Sequence, residues 1–261
     1  MKLDEITPLI LTYNEEPNLD RTLSKLIWAS QILIIDSFSS DRTLDIAQSY
    51  PQVSLLQRKF DTHAKQWNFG LEKVTTEWVL SLDADYLVST QLVNEIEGLP
   101  IDDDVDGYFI SFKYCVFSKP LRGTILPPRQ ALFRKDKAQY LDDGHTQLLK
   151  VQGQSRSLNQ IIYHDDRKPL SRWLWAQDRY LKIEAKKLRE TAWSELSWSD
   201  RIRTFKFLAP FIIIFYCLIL KGGVLGGWRG WYYAFQRMLA EMLLSLRLIE
   251  KDFLEDSKDS I

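Results

Sequence analysis

The chain has 261 residues, of which 45% are hydrophobic and 13% aromatic, with a formal net charge of -1 at pH 7. These values exclude a disordered or collagen-like polypeptide and allow one large domain, or a domain with an appendage. Two cysteines, Cys115 and Cys217, are too few for a disulfide framework and lack metal-ligand spacing, so each reads as a small apolar filler. The near-neutral total hides an asymmetry: residues 1–150 carry 22 Asp and Glu against 16 Lys and Arg, whereas residues 151–261 carry 13 against 18. No signal peptide precedes the first strand-like run, so the active face is expected to be cytoplasmic.

Ile6 to Thr12 is a short apolar run of strand length, followed by the polar Thr12-Tyr-Asn-Glu-Glu-Pro17 and the amphipathic Leu19 to Ala29. Such a loop sets Thr12, Asn14 and free backbone N–H groups beside a helix N-terminus, where nucleotide phosphates can sit; ordinary helix capping also uses these residues. Gln31 to Asp36 repeats the layout and ends in a carboxylate, with Asp41 an N-cap candidate for a helix over Arg42 to Ser49. Val53 to Leu56 reads as a third strand, and Phe60 to Leu71 as a helix carrying Lys65, Gln66 and Asn68.

A fourth apolar run, Trp78-Val-Leu-Ser-Leu, ends in Asp83-Ala-Asp85. Residues i and i+2 of an extended segment point the same way, so both carboxylates aim into one crevice at the strand's carboxyl end. Two hard oxygen ligands suit Mg²⁺ or Mn²⁺. The alternation of strands and helices predicts an α/β fold, a mostly parallel sheet with helices on both faces. Neither Gly-x-Gly-x-x-Gly nor a Walker loop is present, which argues against a dinucleotide fold and a P-loop ATPase.

Taken together and in order, Leu11-Thr-Tyr-Asn-Glu-Glu16, Ile35-Asp-Ser-Phe-Ser-Ser-Asp-Arg-Thr43, Lys65-Gln-Trp-Asn-Phe-Gly70 and Leu82-Asp-Ala-Asp85 resemble a family 2 inverting glycosyltransferase of the GT-A fold. The resemblance implies that Thr12, Asn14, Glu15 and Asp36 hold the nucleotide and that Lys65 lies near the ribose or diphosphate. It makes Asp83 and Asp85 the metal-and-sugar motif.

An inverting sugar transfer needs a group to take the acceptor's proton and a metal to steady the departing diphosphate. The polar cluster Tyr140-Leu-Asp-Asp-Gly-His-Thr-Gln147 offers Asp142 and Asp143, with Asp143 favoured because it adjoins Gly144. His145 competes, since an unperturbed imidazole titrates near neutrality. The lipopolysaccharide-core branch leads one to expect His-Glu here, and this chain has His145-Thr146, so the choice of base stays open. His164, in His164-Asp-Asp166, is a candidate third metal ligand; a satisfied surface histidine is the alternative.

Residues 167–251 hold 16 Lys and Arg against 7 Asp and Glu, with six of the nine tryptophans. Phe207 to Leu220 is uncharged and shorter than the about 20 residues needed to span a bilayer, which suits an interfacial or re-entrant helix. Gly222 to Trp231 then turns the chain into a second amphipathic helix, Tyr232 to Ile249. Positive charge beside Trp, Tyr and apolar faces fits a peripheral or monotopic binder of anionic lipid. The same faces could instead pack on the sheet or on a twin subunit, giving a homo-oligomer. Nucleic acid is not expected as a partner, because the basic residues interleave with long aliphatic runs.

The stretch Leu220-Lys-Gly-Gly-Val-Leu-Gly-Gly-Trp-Arg-Gly-Trp231 also resembles the tail of lipopolysaccharide core β-glucosyltransferases. The expected organisation is a catalytic domain over residues 1–166 and a basic, Trp-rich, membrane-associating helical region over 167–261. The expected activity is transfer of one hexose, with inversion, from a nucleotide sugar (UDP-linked) to a lipid-linked acceptor such as lipopolysaccharide core or a glycolipid. That reaction would run at the cytoplasmic membrane face. Rival readings are a polyprenyl-phosphate sugar synthase and, in a different class, a catalytically silent membrane-binding scaffold.

Overall fold

The computed structural model describes residues 1–100, 104–143 and 146–256. The chain divides into one unit of Met1–Pro120 with Leu126–Lys168, and a second of Leu121–Ile125 with the chain from Pro169 onward.

The first unit opens with β1 (Ile6–Thr12), α1 (Leu19–Leu23), β2 (Ile32–Asp36), α2 (Thr43–Gln48) and β3 (Val53–Gln57). It continues through α3 (His63–Lys73), β4 (Trp78–Asp83), β5 (Tyr86–Val88) and α4 (Thr90–Glu97). The strands β6 (Val105–Val116), β7 (Lys119–Pro120), β8 (Arg129–Arg134), β9 (Ala138–Asp143), β10 (Thr146–Val151) and β11 (Gln154–His164) complete it. The main sheet runs β3-β2-β1-β4-β8-β6-β11-β5, with β7 paired to β6, and β9 and β10 form a separate hairpin.

Side chains of period two settle why these runs are strands. Ile6 and Ile10 of β1, Ile32 and Ile34 of β2, and Leu80 and Leu82 of β4 face one core with Leu19, Leu23, Leu92 and Ile96. Leu9, Leu33, Ile35 and Val79 face the other, against Ala64, Trp67 and Leu71 of α3. Both faces are covered, so the strands read as continuous apolar runs. Each fully buried aliphatic side chain contributes roughly 1.5–3 kcal/mol.

β1 pairs in parallel with β2 and β4, aligning Thr12 with Asp36 and Leu11 with Asp83. The carboxyl ends of these three strands therefore form one edge, and it carries the predicted site residues. The expectation of a mostly parallel sheet is corrected in the other half. β8 runs antiparallel to both β4 and β6, and β5 runs antiparallel to β11, while β6 and β11 are parallel. An antiparallel return needs no crossover helix, and no helix lies between β6 and β8 to supply one.

The second unit is helical, with α5 (Leu170–Glu190), α6 (Trp198–Thr204), α7 (Ala209–Phe215), a π-helical turn over Tyr216–Leu220 and α8 (Trp228–Asp256). Leu181, Ala185 and Leu188 of α5 pack with Leu196, Leu244 and Leu248. Arg203 is held by Glu184 at 3.2 Å, Asp200 at 3.3 Å and Glu241 at 2.7 Å, a polar core that fixes α5, α6 and α8 together. Pro210 sits in the first turn of α7, where a missing N–H costs nothing. Among the described residues, no helix is long and apolar enough to cross a membrane.

Candidate active site

The edge formed by β1, β2 and β4 is tied together by side chains. Asp36 is fully buried and accepts from Thr12 Oγ1 at 2.9 Å, Ser39 N at 2.9 Å, Ser39 Oγ at 2.5 Å and Gln57 Nε2 at 3.1 Å. Asn14 adopts a left-handed backbone at φ 56°, which asparagine tolerates better than most residues. That turn lets Asn14 N donate to Ser39 Oγ at 2.8 Å while Asn14 Oδ1 accepts from Ser40 N at 2.8 Å. The loops after β1 and β2 are thus one hydrogen-bonded rim, with Asp36 beneath it.

Glu15 turns inward. Its carboxylate meets Lys168 Nζ at 2.5 Å and accepts from Asn18 Nδ2 at 3.0 Å, while its backbone N–H donates to Thr43 Oγ1 at 2.7 Å. Burial pushes the Glu15 carboxyl up to about 7, with Lys168 pulling it down and Asp85 adding to the rise. Desolvation works against the Lys168 ammonium, yet Glu15, Asp166 and Asp85 hold its pKa above the usual lysine range. Asn18 also donates to Asp166 at 2.9 Å, and Arg21 binds Asp165 at 2.7 Å, so the segment 164–168 is clamped to the start of α1.

Asp83 is the last residue of β4 and Asp85 lies two residues beyond, and β5 then carries Tyr86 to the far edge of the sheet, paired with His164. Asp85 Oδ2 lies 3.0 Å from His164 Nε2. Asp85 is buried and His164 half-buried, and the buried Asp85 Oδ1 and His164 Nδ1 have no hydrogen-bond partner. Burial disfavours charge on each, but their mutual attraction prevails, lowering the Asp85 pKa and raising that of His164. The imidazole is boxed by Tyr114 and Tyr86, with ring centroids 4.2 and 5.1 Å away. Among the described residues, no three acidic, His or Cys side chains gather closely enough to enclose a metal ion. The structure thus brings Asp85 and His164 into contact without adding Asp83 as a third ligand.

The remaining predicted residues fall elsewhere. Lys65 is on the first turn of α3, with its side chain 62% exposed and its Nζ 3.7 Å from Asp61. Asp142 and Asp143 end β9 and are exposed. Gly144 and His145 lie outside the described residues. Asn68 anchors the hairpin that carries both aspartates: its Nδ2 donates to Tyr140 O at 2.8 Å, and its Oδ1 accepts from Tyr140 N at 2.9 Å. Trp67 stacks on the Tyr140 ring at 5.3 Å.

Two basic groups went unassigned in the sequence. Arg129 donates to Tyr86 Oη at 3.2 Å, and although desolvation opposes it, Tyr86, Asp83 and Asp85 raise its pKa. Nothing in the linear sequence shows that the strand beginning at Arg129 enters the sheet beside β4. Lys168 follows His164-Asp-Asp-Arg, and only the clamp onto α1 shows that it faces Glu15.

An α/β sheet with acidic groups and one histidine gathered at the carboxyl edge of its first strands defines a ligand-binding enzyme scaffold. The sequence profile of glycosyl transferase family 2 matches residues 9–149, from β1 through β10, and the chain belongs to that family. It is 26% identical over 151 residues to the lipopolysaccharide core biosynthesis glycosyltransferase LpsC of Rhizobium meliloti, covering 53% of this chain and 56% of that protein. An uncharacterized glycosyltransferase of Rickettsia bellii is 28% identical over 105 residues, 40% of this chain and 35% of that one. The matched stretches thus span little more than half, or about a third, of these relatives. The fold is similar to that of S. aureus TarS 1-349 in complex with UDP-GlcNAc, with a TM-score of 0.50 at 16% identity, over 81% of this chain and 72% of TarS.

Proposed function

We propose that the protein is a non-processive inverting glycosyltransferase that moves one hexose from a nucleotide sugar, UDP-linked, to a lipid-linked acceptor such as lipopolysaccharide core. The observation that carries this reading is the shared edge of β1, β2 and β4, where Thr12, Asn14, Glu15, Asp36, Asp83 and Asp85 lie within one family-matched sheet. The fold likeness to a UDP-GlcNAc complex is in keeping with a GT-A nucleotide-sugar site, and the likeness to LpsC favours a lipopolysaccharide-type acceptor.

The unpartnered Oδ1 of Asp85 and Nδ1 of His164 are ligand atoms of the kind that bind Mn²⁺ or Mg²⁺. Asp85 and His164 would hold such an ion, which would neutralise charge on a departing diphosphate when bound. The protein's own groups do the rest. The rim from Asn14 to Ser40 positions the nucleotide, and Lys168 and Arg129 supply positive charge near the carboxylates. In the displacement, the acceptor oxygen bonds to the sugar's anomeric carbon as the bond to the diphosphate breaks. The acceptor proton passes to a carboxylate at the end of β9, Asp143 first and Asp142 next, or to His145.

Calorimetric titration with UDP, GDP and CMP, with and without Mn²⁺, tests the donor half. UDP is expected to bind, to need the metal, and to lose binding in Asp85→Asn; the absence of any nucleotide binding would overturn the reading. Asp143→Asn and His145→Ala, assayed side by side with donor binding intact, identify the base by the larger fall in turnover, expected to be about 10²-fold or more.

A further inference from the structure

The second unit presents an apolar edge that its own core does not use. Phe207, Phe211, Phe215, Leu220, Leu225 and Trp228 are 55–69% exposed. They line one side of α7, the π-helical turn and the start of α8, while Ala209, Cys217, Leu218, Tyr233 and Ala234 face inward. The two arms close at a glycine turn. Gly222 takes a left-handed φ of 68°, and a Cβ on Gly230 would lie 1.8 Å from the carbonyl oxygen of Gly223. The backbones therefore touch, and the large side chains are left on the outside. A contiguous apolar surface of this kind marks a docking face.

Charge identifies what it docks on. Residues 201–240 contain no Asp or Glu and six cations: Arg201, Arg203, Lys206, Lys221, Arg229 and Arg237. Arg203 and Lys206 are spent on Glu241 and Asp252 within the unit. Lys221 lies over the Tyr216 ring at 5.4 Å and Arg229 over the Trp228 ring at 4.5 Å. Cations beside aromatic rings at the border of an apolar edge are the arrangement of a membrane-interface element. A symmetric contact with a second copy would set these cations against themselves.

We propose that this hairpin seats its apolar edge in the headgroup–acyl boundary of an anionic bilayer, with Lys221 and Arg229 toward the lipid phosphates. The helical run Ala209–Leu220 is about 18 Å long at about 1.5 Å per residue, short of a hydrocarbon core of about 30 Å, so the hairpin lies in the interface and does not span it. The proposal is independent of the glycosyl-transfer reading.

The test is flotation of the full chain with phosphatidylcholine vesicles, with and without about one-third phosphatidylglycerol, alongside sedimentation of the lipid-free protein. The wild type is expected to float with the anionic vesicles and about tenfold less with the neutral ones. A Phe211→Ser/Phe215→Ser/Leu220→Ser variant is expected to lose flotation at least tenfold. These positions are exposed, so the fold should survive, as circular dichroism checks. Lys221→Gln/Arg229→Gln is expected to remove the preference for anionic lipid while leaving residual binding. Equal flotation with both vesicles, or unaltered flotation of the triple variant, overturns the proposal. So does a lipid-free dimer that the triple variant dissociates with no vesicle binding by the wild type, which would give the face to a second copy.

Discussion

Asp36 accepts four hydrogen bonds, about the full capacity of a carboxylate, and so serves as the knot beneath the nucleotide rim. Asp36→Ala leaves the buried Thr12 hydroxyl without its acceptor, and is expected to cost about 1–3 kcal/mol in denaturant unfolding. Asp36→Asn, which keeps one acceptor, should cost less. Glu15 gives a prediction in pH. Its carboxyl is raised from 4.5 to about 7, so the folded chain holds this proton more tightly than the unfolded one. Its contribution to stability is full below pH 4.5, declines as pH rises to about 7, and is flat above that. The decline has a ceiling of about 3 kcal/mol. Glu15→Gln should remove it, so the wild type loses stability relative to the variant between pH 5 and 7.5 in parallel melts; identical slopes would contradict the shift.

Helix α3 links the nucleotide edge to the hairpin of β9 and β10. Gly70 lets it approach β1: an added Cβ would meet Leu9 Cδ1 at 2.7 Å and Ile35 Cγ1 at 3.3 Å. Gly70→Val is expected to destabilise by about 1–3 kcal/mol through overpacking, read as a lower melting temperature. Asn68→Ala removes both hydrogen bonds to the Tyr140 backbone. It should speed amide exchange across residues 138–151 and lower turnover more than UDP affinity, because the hairpin ends in Asp142 and Asp143. The same helix shows where reading the sequence succeeds. β1, β2 and β4 are buried on both faces, so their apolar runs are continuous and their acidic ends stand out in a linear reading. Tyr140-Leu-Asp-Asp143 reads only as part of a polar cluster, because the contacts that hold Tyr140 come from Asn68, 72 residues away, and from Trp67 beside it. The direction of β8 depends likewise on partners distant in the chain. Within the helical region expected over 167–261, the bounds of α5 do not stand out, because its apolar positions are diluted by charged residues such as Arg172, Asp178, Lys182 and Lys186. The contact between Asp85 and His164 was legible as residue types, whereas the clamp through Lys168, Asn18 and Arg21 was not.

Across the whole molecule, each unit holds one buried cysteine, Cys115 in the first and Cys217 in the second. Burial raises both thiols, Cys115 to about 11, so neither should react with an aromatic disulfide reagent in the native protein. Cys115→Ser and Cys217→Ser, each leaving one thiol, should report the opening of each unit separately under rising urea. Rapid labelling without denaturant would show that burial does not protect them. The docking edge has a companion prediction: flotation with anionic vesicles should weaken as salt rises from 0.1 to 1 M, where the Debye length shrinks from about 10 to about 3 Å. The pairing of β5 with β11 has a consequence for how the molecule is made. Asp85 and His164 are 79 residues apart, and they meet only when β11 joins the far edge of the sheet. On a growing chain, β1 to β4 can pair while residue 164 is still within the ribosome, so the acidic edge is assembled before its histidine arrives. The site is completed late, by a contact that closes a loop of 79 residues, and a chain stalled before that point carries the β1–β4 part of the sheet without a formed centre.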